Sequence, residues 1–306
     1  MNSETLKYSQ WPNFYFLESM FKKIDNVLDE WDRYELAGLL TLTLLAFYNY
    51  SYSWSEFLVP FFLASAIIYR PLLKNPWFWV AFASFATYMV GQYWQPVANH
   101  KFLTTYWLWI LAFAGFVKVE SKRYELLEFN ARFLILFCML CASIQKLLSP
   151  TYMDGSFFEM ALLTETYFQF FGVILGVPPE LPALTQSTVS AIQAPNITLS
   201  QSAVVLPITP IFHYFVIFVT VWNLGMQVLL EGLGLFKHRL VQVVFHVTML
   251  IFLHSTYIAA PFTGFGWLLC VMLFVMAKPT FPRFATLYLV SIPILVLYTS
   301  PWRLVF

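Results

Sequence analysis

The sequence predicts an all-α integral membrane protein, a polytopic bundle of about eight or nine transmembrane helices. Of the 306 residues, 59% are hydrophobic and only 11% are charged, and the charges cluster between long apolar runs. In a bilayer each backbone amide must be hydrogen-bonded within its own segment, so these runs are expected to be helices. A soluble domain of this composition would expose too much apolar surface to remain in solution.

Nine apolar runs are candidate spans, since a crossing needs about 20 predominantly apolar residues. They cover residues 36–52, 57–69, 77–94, 102–117, 129–148, 208–230, 240–258, 265–277 and 284–299. The second and the eighth are short for a full crossing. We expect these two to be tilted helices inside the bundle or half-inserted segments.

The basic residues predict the orientation, because cytoplasmic loops are enriched in Lys and Arg. Clusters precede the first run and follow the second, fourth, sixth and eighth: Lys22, Lys23, Arg33, Arg70, Lys74, Lys118, Lys122, Arg123, Lys237, Arg239, Lys278 and Arg283. No Lys or Arg occurs between Pro150 and Pro210. All clusters fall on one side if nine runs span and the N-terminus is cytoplasmic. We therefore predict a multi-pass protein of the plasma (inner) membrane, with the lipid bilayer as its first partner.

Two segments are predicted to lie outside the spans. Residues 1–35 are expected to form a cytoplasmic amphipathic segment on the membrane surface, with a soluble tail as the alternative. Residues 36–306 form the bundle, which includes a non-cytoplasmic capping loop over residues 150–207. Within this loop, residues 160–176 are strongly aromatic and are predicted to be an interfacial or re-entrant helix.

Ionisable groups within a membrane are costly and are therefore functional candidates. His100 follows Asn99, a candidate helix N-cap, and Lys146 follows Gln145 near the end of the fifth run. An interfacial histidine and a lysine reaching to the headgroups are the alternative interpretations. The fourth and fifth runs are joined by a short connection and should pack as an antiparallel pair. His100 and Lys146 are then expected at the same membrane depth, lining one cavity.

Other polar positions carry weaker signals. Asp154 is a candidate carboxylate over the same cavity or, alternatively, a turn and cap residue. His246 and His254 are eight residues apart, a spacing that does not supply two ligands to one metal, so no metal site is predicted, although haem ligation remains an alternative. Cys138 and Cys141 spell C-x-x-C in mid-span, where cysteine usually packs as a small hydrophobe. The net charge of +1 indicates no nucleic-acid partner.

Three motifs carry a resemblance to a known family. The sequences are Asn-His-Lys-Phe-Leu at 99–103, Ala-Ser-Ile-Gln-Lys-Leu at 142–147 followed by Asp-Gly at 154–155, and Phe-His at 245–246. They resemble signatures of the HTTM (horizontally transferred transmembrane) family, which includes the membrane domain of vitamin K-dependent gamma-carboxylase. The resemblance covers roughly residues 31–277. Gln227 stands where the family has an acid, and the chain ends without the carboxylase's large lumenal domain.

The resemblance implies a membrane enzyme, a carboxylase- or epoxidase-like lyase or monooxygenase. It implies that Lys146 is the base that deprotonates a bound reduced quinone and that His100 assists in proton handling. Asn99, Gln145, Asp154 and His246 are the predicted substrate-binding residues. The predicted partner is a lipid-soluble small molecule. The alternative is a non-catalytic membrane subunit or maturation partner for a secreted peptide or a partner membrane protein.

Overall fold

The fold is all-α, as the composition predicts. The computed structural model describes residues 19, 23, 30–47, 55–92, 99–164, 169–177, 210–259 and 263–298. Every regular element among these residues is helical, and none of them forms a strand. Most of the predicted segment 1–35, the loop 178–207 and the side chain of Asn99 lie outside this description.

The helices follow the predicted runs closely. Within the described residues they are α1 (Arg33–Phe47), α2 (Ser55–Ile68), α3 (Pro71–Lys74), α4 (Pro76–Gln92), α5 (Asn99–Phe116), α6 (Glu120–Leu147), α7 (Pro150–Met153), α8 (Ser156–Thr164), α9 (Gln169–Ile174), α10 (Pro210–Leu235), α11 (Arg239–Ala259), α12 (Thr263–Ala277) and α13 (Pro282–Tyr298). Each of the nine predicted runs overlaps one of the longer helices.

Among the described residues, three helices are long and apolar enough to cross a bilayer. By length and composition these are Glu120–Leu147, Pro210–Leu235 and Arg239–Ile258. Phe57–Ile68, Thr263–Ala277 and Pro282–Tyr298 are shorter apolar helices. The chain is thus a helical membrane protein.

The chain divides into two compact units, residues 1–132 with 267–292 and residues 133–266 with 293–306. In the first unit α4 packs against α5, and α1 packs against α2 and α3. Two fully buried indoles hold these helices together. Trp79 Nε1 donates a hydrogen bond to the Leu73 carbonyl over 2.7 Å, and Trp107 Nε1 donates to Thr41 Oγ1 over 3.0 Å.

One face of the first unit carries a buried carboxylate between two cations. Glu35, 4% exposed, accepts from Arg70 Nη2 over 2.9 Å and from Lys74 Nζ over 3.2 Å. The Arg70 guanidinium also lies 3.8 Å from the ring centroid of Trp31. These contacts join the start of α1 to the α2–α3 turn.

In the second unit α10 is the central helix, which packs against α11 on one side and α8 on another. The core beside α8 consists of buried apolar side chains: Tyr152, Phe158, Ala161, Leu162, Leu163, Val177, Phe212 and Val216. The predicted capping segment therefore packs on α10 over the part that the structure describes. This segment also contains residues that surround Lys146.

Candidate functional site

Lys146 is held by two amide oxygens of α10. Its Nζ donates a hydrogen bond to Asn223 Oδ1 and a second to Gln227 Oε1, the latter over 2.6 Å. The Lys146 side chain is half-buried, and Gln227 is 7% exposed. This lysine therefore packs against a neighbouring helix through its ammonium group, which is not the geometry of a side chain reaching to the headgroups.

Tyr152 covers the lysine from the next turn of the chain. Ser149 Oγ accepts a hydrogen bond from the Tyr152 amide over 3.3 Å, and Pro150 opens α7, so a new short helix begins directly after α6. The buried Tyr152 donates from its hydroxyl to Asn223 Oδ1 over 3.2 Å. Its ring centroid lies 5.3 Å from Lys146 Nζ, within the range of a cation–π contact. Asn223 thus accepts from both Lys146 and Tyr152.

The turn after Tyr152 brings α8 against the same face of α10. Gly155 has a φ of 86°, a conformation in the left-handed region that side chains rarely adopt. A Cβ on Gly155 would lie 2.9 Å from Val216 Cγ1. Glycine is therefore required at this position both for the turn and for the close approach of the two elements.

A polar row runs along α10 at this site. Asn223, Gln227 and Glu231 are four residues apart, a spacing that puts them on one helix face. Glu231 Oε1 accepts a hydrogen bond from the buried Ser143 Oγ over 2.5 Å. Three polar side chains of α10 therefore face the end of α6.

The contacts with α10 run antiparallel to the chain between residues 143 and 155. The pairs are Ser143 with Glu231, Lys146 with Gln227, Tyr152 with Asn223, and Gly155 with Val216. Gln227 lies about 26 Å along α10 from Pro210 and about 12 Å from Leu235, at 1.5 Å per residue. Lys146 is thus level with the C-terminal half of α10, and α7 and α8 cover the N-terminal half.

The charge of Lys146 is not neutralised by a carboxylate. Among the described residues, ion pairs within 4.0 Å join Arg33 to Glu128 and Glu35 to both Arg70 and Lys74. The acceptors on Lys146 are neutral amide oxygens. Lysines removed from water in this way serve in proteins as bases or as anion-binding groups. The arrangement can therefore bind an oxyanion or remove a proton from a hydroxyl.

Two of the predicted site residues lie close to Lys146 in the chain but differ from it in environment. Gln145 is exposed on α6. The exposed Asp154 accepts from the Ser156 amide over 2.9 Å and from the Ser156 hydroxyl over 2.6 Å. These hydrogen bonds lower the pKa of Asp154 below its ordinary value. The geometry of Asp154 is that of the turn and cap residue that the sequence offers as the alternative.

The histidines occupy separate places. His246 is buried in α11 with its ring 5.4 Å from that of Phe245, and His254 Nδ1 lies 3.1 Å from Tyr298 Oη. His100 is half-buried in the first unit, whereas Lys146 belongs to the second. The shared His100–Lys146 cavity stays a prediction.

Sequence reasoning singled out Gln227 but missed two other residues around Lys146, Asn223 and Tyr152. Asn223 and Tyr152 are 77 and 6 positions away from it, and neither carries a charge that marks it as unusual in a span. The i, i+4, i+8 spacing of Asn223, Gln227 and Glu231 is a signal that was available in the sequence. It indicates a polar face on an otherwise apolar helix.

Potential metal ligands and cysteines occur at several places in the described part of the chain. Within it no three His, Cys, Asp or Glu side chains are grouped to hold a metal ion. Cys138, Cys141 and Cys270 are free thiols.

No protein-family model, curated protein or solved structure matches this chain. The candidate site is therefore defined by its own geometry.

Proposed function

We propose that this protein is a membrane enzyme of the HTTM type in which Lys146 is the base for a lipid-soluble hydroxylated substrate, with a reduced quinone as the candidate. The observation that carries the proposal is the half-buried ammonium group of Lys146, whose acceptors among the described residues are the neutral amide oxygens of Asn223 and Gln227. Fixed neutral acceptors orient the amine and leave its proton exchangeable with a substrate.

The side chains near Lys146 fit a flat aromatic alcohol. The Tyr152 ring lies 5.7 Å from that of Phe157 and 5.4 Å from that of Phe158, centroid to centroid. An amine and a phenol hydroxyl thus lie beside an aromatic surface, the combination of polar and apolar groups typical of small-molecule sites. Bound here, a reduced quinone would supply the oxygen-dependent chemistry that the family resemblance implies.

The roles of the chain's residues follow from their contacts. Lys146, in its uncharged form, accepts the hydroxyl proton at Nζ. Asn223 and Gln227 hold the resulting ammonium through their amide oxygens. Tyr152 donates a hydrogen bond to Asn223 and so fixes the orientation of that amide. The roles that the family resemblance implies for His100, Asn99, Gln145, Asp154 and His246 stay predictions.

We further propose the full topology of eight or nine spans in the plasma (inner) membrane, with a cytoplasmic N-terminus. In this arrangement residues 160–176 belong to the interfacial or re-entrant helix that the sequence predicts. The support is that α7 and α8 pack along the N-terminal half of α10, a helix long enough to cross the bilayer. Lys146 then lies inside the hydrocarbon layer, where an ionisable group is retained for function.

Oxygen uptake by the purified full-length protein tests this function. Protein in detergent is given a soluble hydroquinone, and uptake is compared between wild type, Lys146→Met and Lys237→Met. Lys237 is exposed beyond α10 and is the matched control. A general base contributes about 10²- to 10⁴-fold, so Lys146→Met should lose at least about 100-fold while the control keeps full activity. Equal uptake in all three would contradict the proposal.

A further inference from the structure

We propose that α2, α3 and α4 form a binding site for an anionic glycerophospholipid. Its phosphate lies at Lys74 and Arg70, and one acyl chain occupies the groove between α2 and α4. This site lies within the first unit and does not depend on the function proposed for Lys146.

The groove is apolar throughout. It encloses about 320 Å³ and is lined by aliphatic and aromatic side chains, among them Leu58 and Phe62 of α2 and Ala81 and Phe85 of α4. The ring of Phe62 lies 5.9 Å from that of Phe78 and 5.5 Å from that of Phe82. Among the described residues, no charged or hydrogen-bonding side chain lines this groove. Its lining selects a hydrocarbon chain.

The position of the groove matches one leaflet of the bilayer. Phe78 is four residues beyond Lys74, and Phe85 is eleven residues beyond it. They are two and nine residues beyond Pro76, where α4 begins, so at 1.5 Å per residue the groove reaches from about 3 Å to about 14 Å below the start of α4. Half of a 30 Å hydrocarbon core is about 15 Å. An acyl chain whose headgroup lies at Lys74 therefore has the right length to fill it.

Aromatic side chains mark the headgroup level beside the same turn. Tyr69 is 62% exposed and Trp77 is 68% exposed, on either side of α3. Exposed Tyr and Trp side chains concentrate at membrane–water interfaces. Arg70 and Lys74 lie between them in the chain, at the depth where lipid phosphates lie.

The charge of this turn suits an anion. The Arg70 and Lys74 side chains are 41% and 52% exposed, and both are oriented by the carboxylate of Glu35, which is itself 6% exposed. Two cations and one carboxylate leave a net charge of +1 on the accessible side. A lipid phosphate can bind Lys74 and Arg70 there without displacing Glu35, because each cation has further donor hydrogens.

Lipid titration followed by native mass spectrometry tests the headgroup contact. The full chain in detergent is titrated with phosphatidylglycerol and with phosphatidylcholine of identical acyl chains. One lysine near the membrane surface contributes about fivefold to the binding of anionic lipid. Lys74→Gln should therefore reduce phosphatidylglycerol affinity about fivefold and leave phosphatidylcholine unchanged. Lys237→Gln, the same change at an exposed lysine of the other unit, should alter neither.

A second pair of variants tests the groove. Ala81→Phe fills it, whereas Ala64→Phe makes the same change at an exposed position of α2 outside the groove. Ala81→Phe should reduce the affinity for both lipids at least fivefold, and Ala64→Phe should leave both affinities unchanged. Equal affinity for the two lipids in wild type, or unchanged binding in Ala81→Phe, would overturn the proposal. Full displacement of phosphatidylglycerol by millimolar inorganic phosphate would also overturn it, because the ligand would then be a free anion.

Discussion

Lys146 of α6 and Gln227 of α10 are joined by a hydrogen bond of 2.6 Å between the ammonium group and the amide oxygen. The two residues are 81 positions apart and belong to helices that are each long and apolar enough to span a bilayer. The amide oxygen is a neutral acceptor, so it orients the Lys146 nitrogen without placing a negative charge beside it. The proposed chemistry depends on this relationship.

Replacing Gln227 by leucine should destabilise the second unit. The substitution removes one of the two acceptors of Lys146 and leaves a buried donor unsatisfied, which costs about 1–3 kcal/mol. The midpoint of thermal unfolding in mild detergent measures the effect. Gln145→Leu changes the same residue type at an exposed position of α6 and should stay within about 0.5 kcal/mol of wild type. Equal midpoints for the two variants would show that the hydrogen bond from Lys146 to Gln227 contributes nothing to the stability of the fold.

Replacing Gly38 by alanine should destabilise the first unit. A Cβ at Gly38 would lie 2.5 Å from Cζ2 of the fully buried Trp79, which is fixed by its hydrogen bond to Leu73. Overpacking of this kind typically costs about 1–3 kcal/mol. Gly91→Ala is the control, since nothing lies within 4 Å of the added methyl group. An unfolding midpoint for Gly38→Ala at or above that of Gly91→Ala would mean that this contact is loose.

Much of this fold is predictable from the sequence, because hydropathy identifies apolar helices without any knowledge of their partners. The helix ends are less predictable. The α6 helix begins at Glu120 and not at residue 129, because its first two turns are polar and a search for apolar runs passes over them. Similarly, α10 continues to Leu235 beyond the predicted end at 230.

The candidate site was predictable only in part. A lysine within an apolar run is conspicuous, so Lys146 was found. Its partners Asn223 and Tyr152 were not found, because both are uncharged. They reach Lys146 only through the register between α6, α7 and α10. Tertiary register between helices is set by side-chain packing, which a single sequence does not reveal. For Asp154 the sequence left two interpretations open, and its hydrogen bonds to Ser156 favour the turn and cap residue.

The proposed orientation predicts opposite labelling at two sites. Thr198→Cys, in the loop predicted to be non-cytoplasmic, should react with a membrane-impermeant thiol reagent in intact cells. Lys237→Cys, in a predicted cytoplasmic cluster, should react only after the membrane is permeabilised. The wild type, whose three cysteines lie within helices, supplies the background. Labelling of Lys237→Cys in intact cells, with Thr198→Cys protected, would show that the orientation is the opposite of the one proposed.

The central claim is that Lys146 binds a lipid-soluble hydroxylated molecule, and the most direct measurement is the content of such molecules in the purified protein. Wild type, Lys146→Met and Lys237→Met are isolated from the same membranes in mild detergent and extracted for quantitative mass spectrometry of quinones. We expect near-stoichiometric quinone in wild type and Lys237→Met, and at least a tenfold loss in Lys146→Met, because methionine keeps the length of the side chain and removes its charge. Equal quinone content in all three proteins, or none in wild type, would contradict the claim.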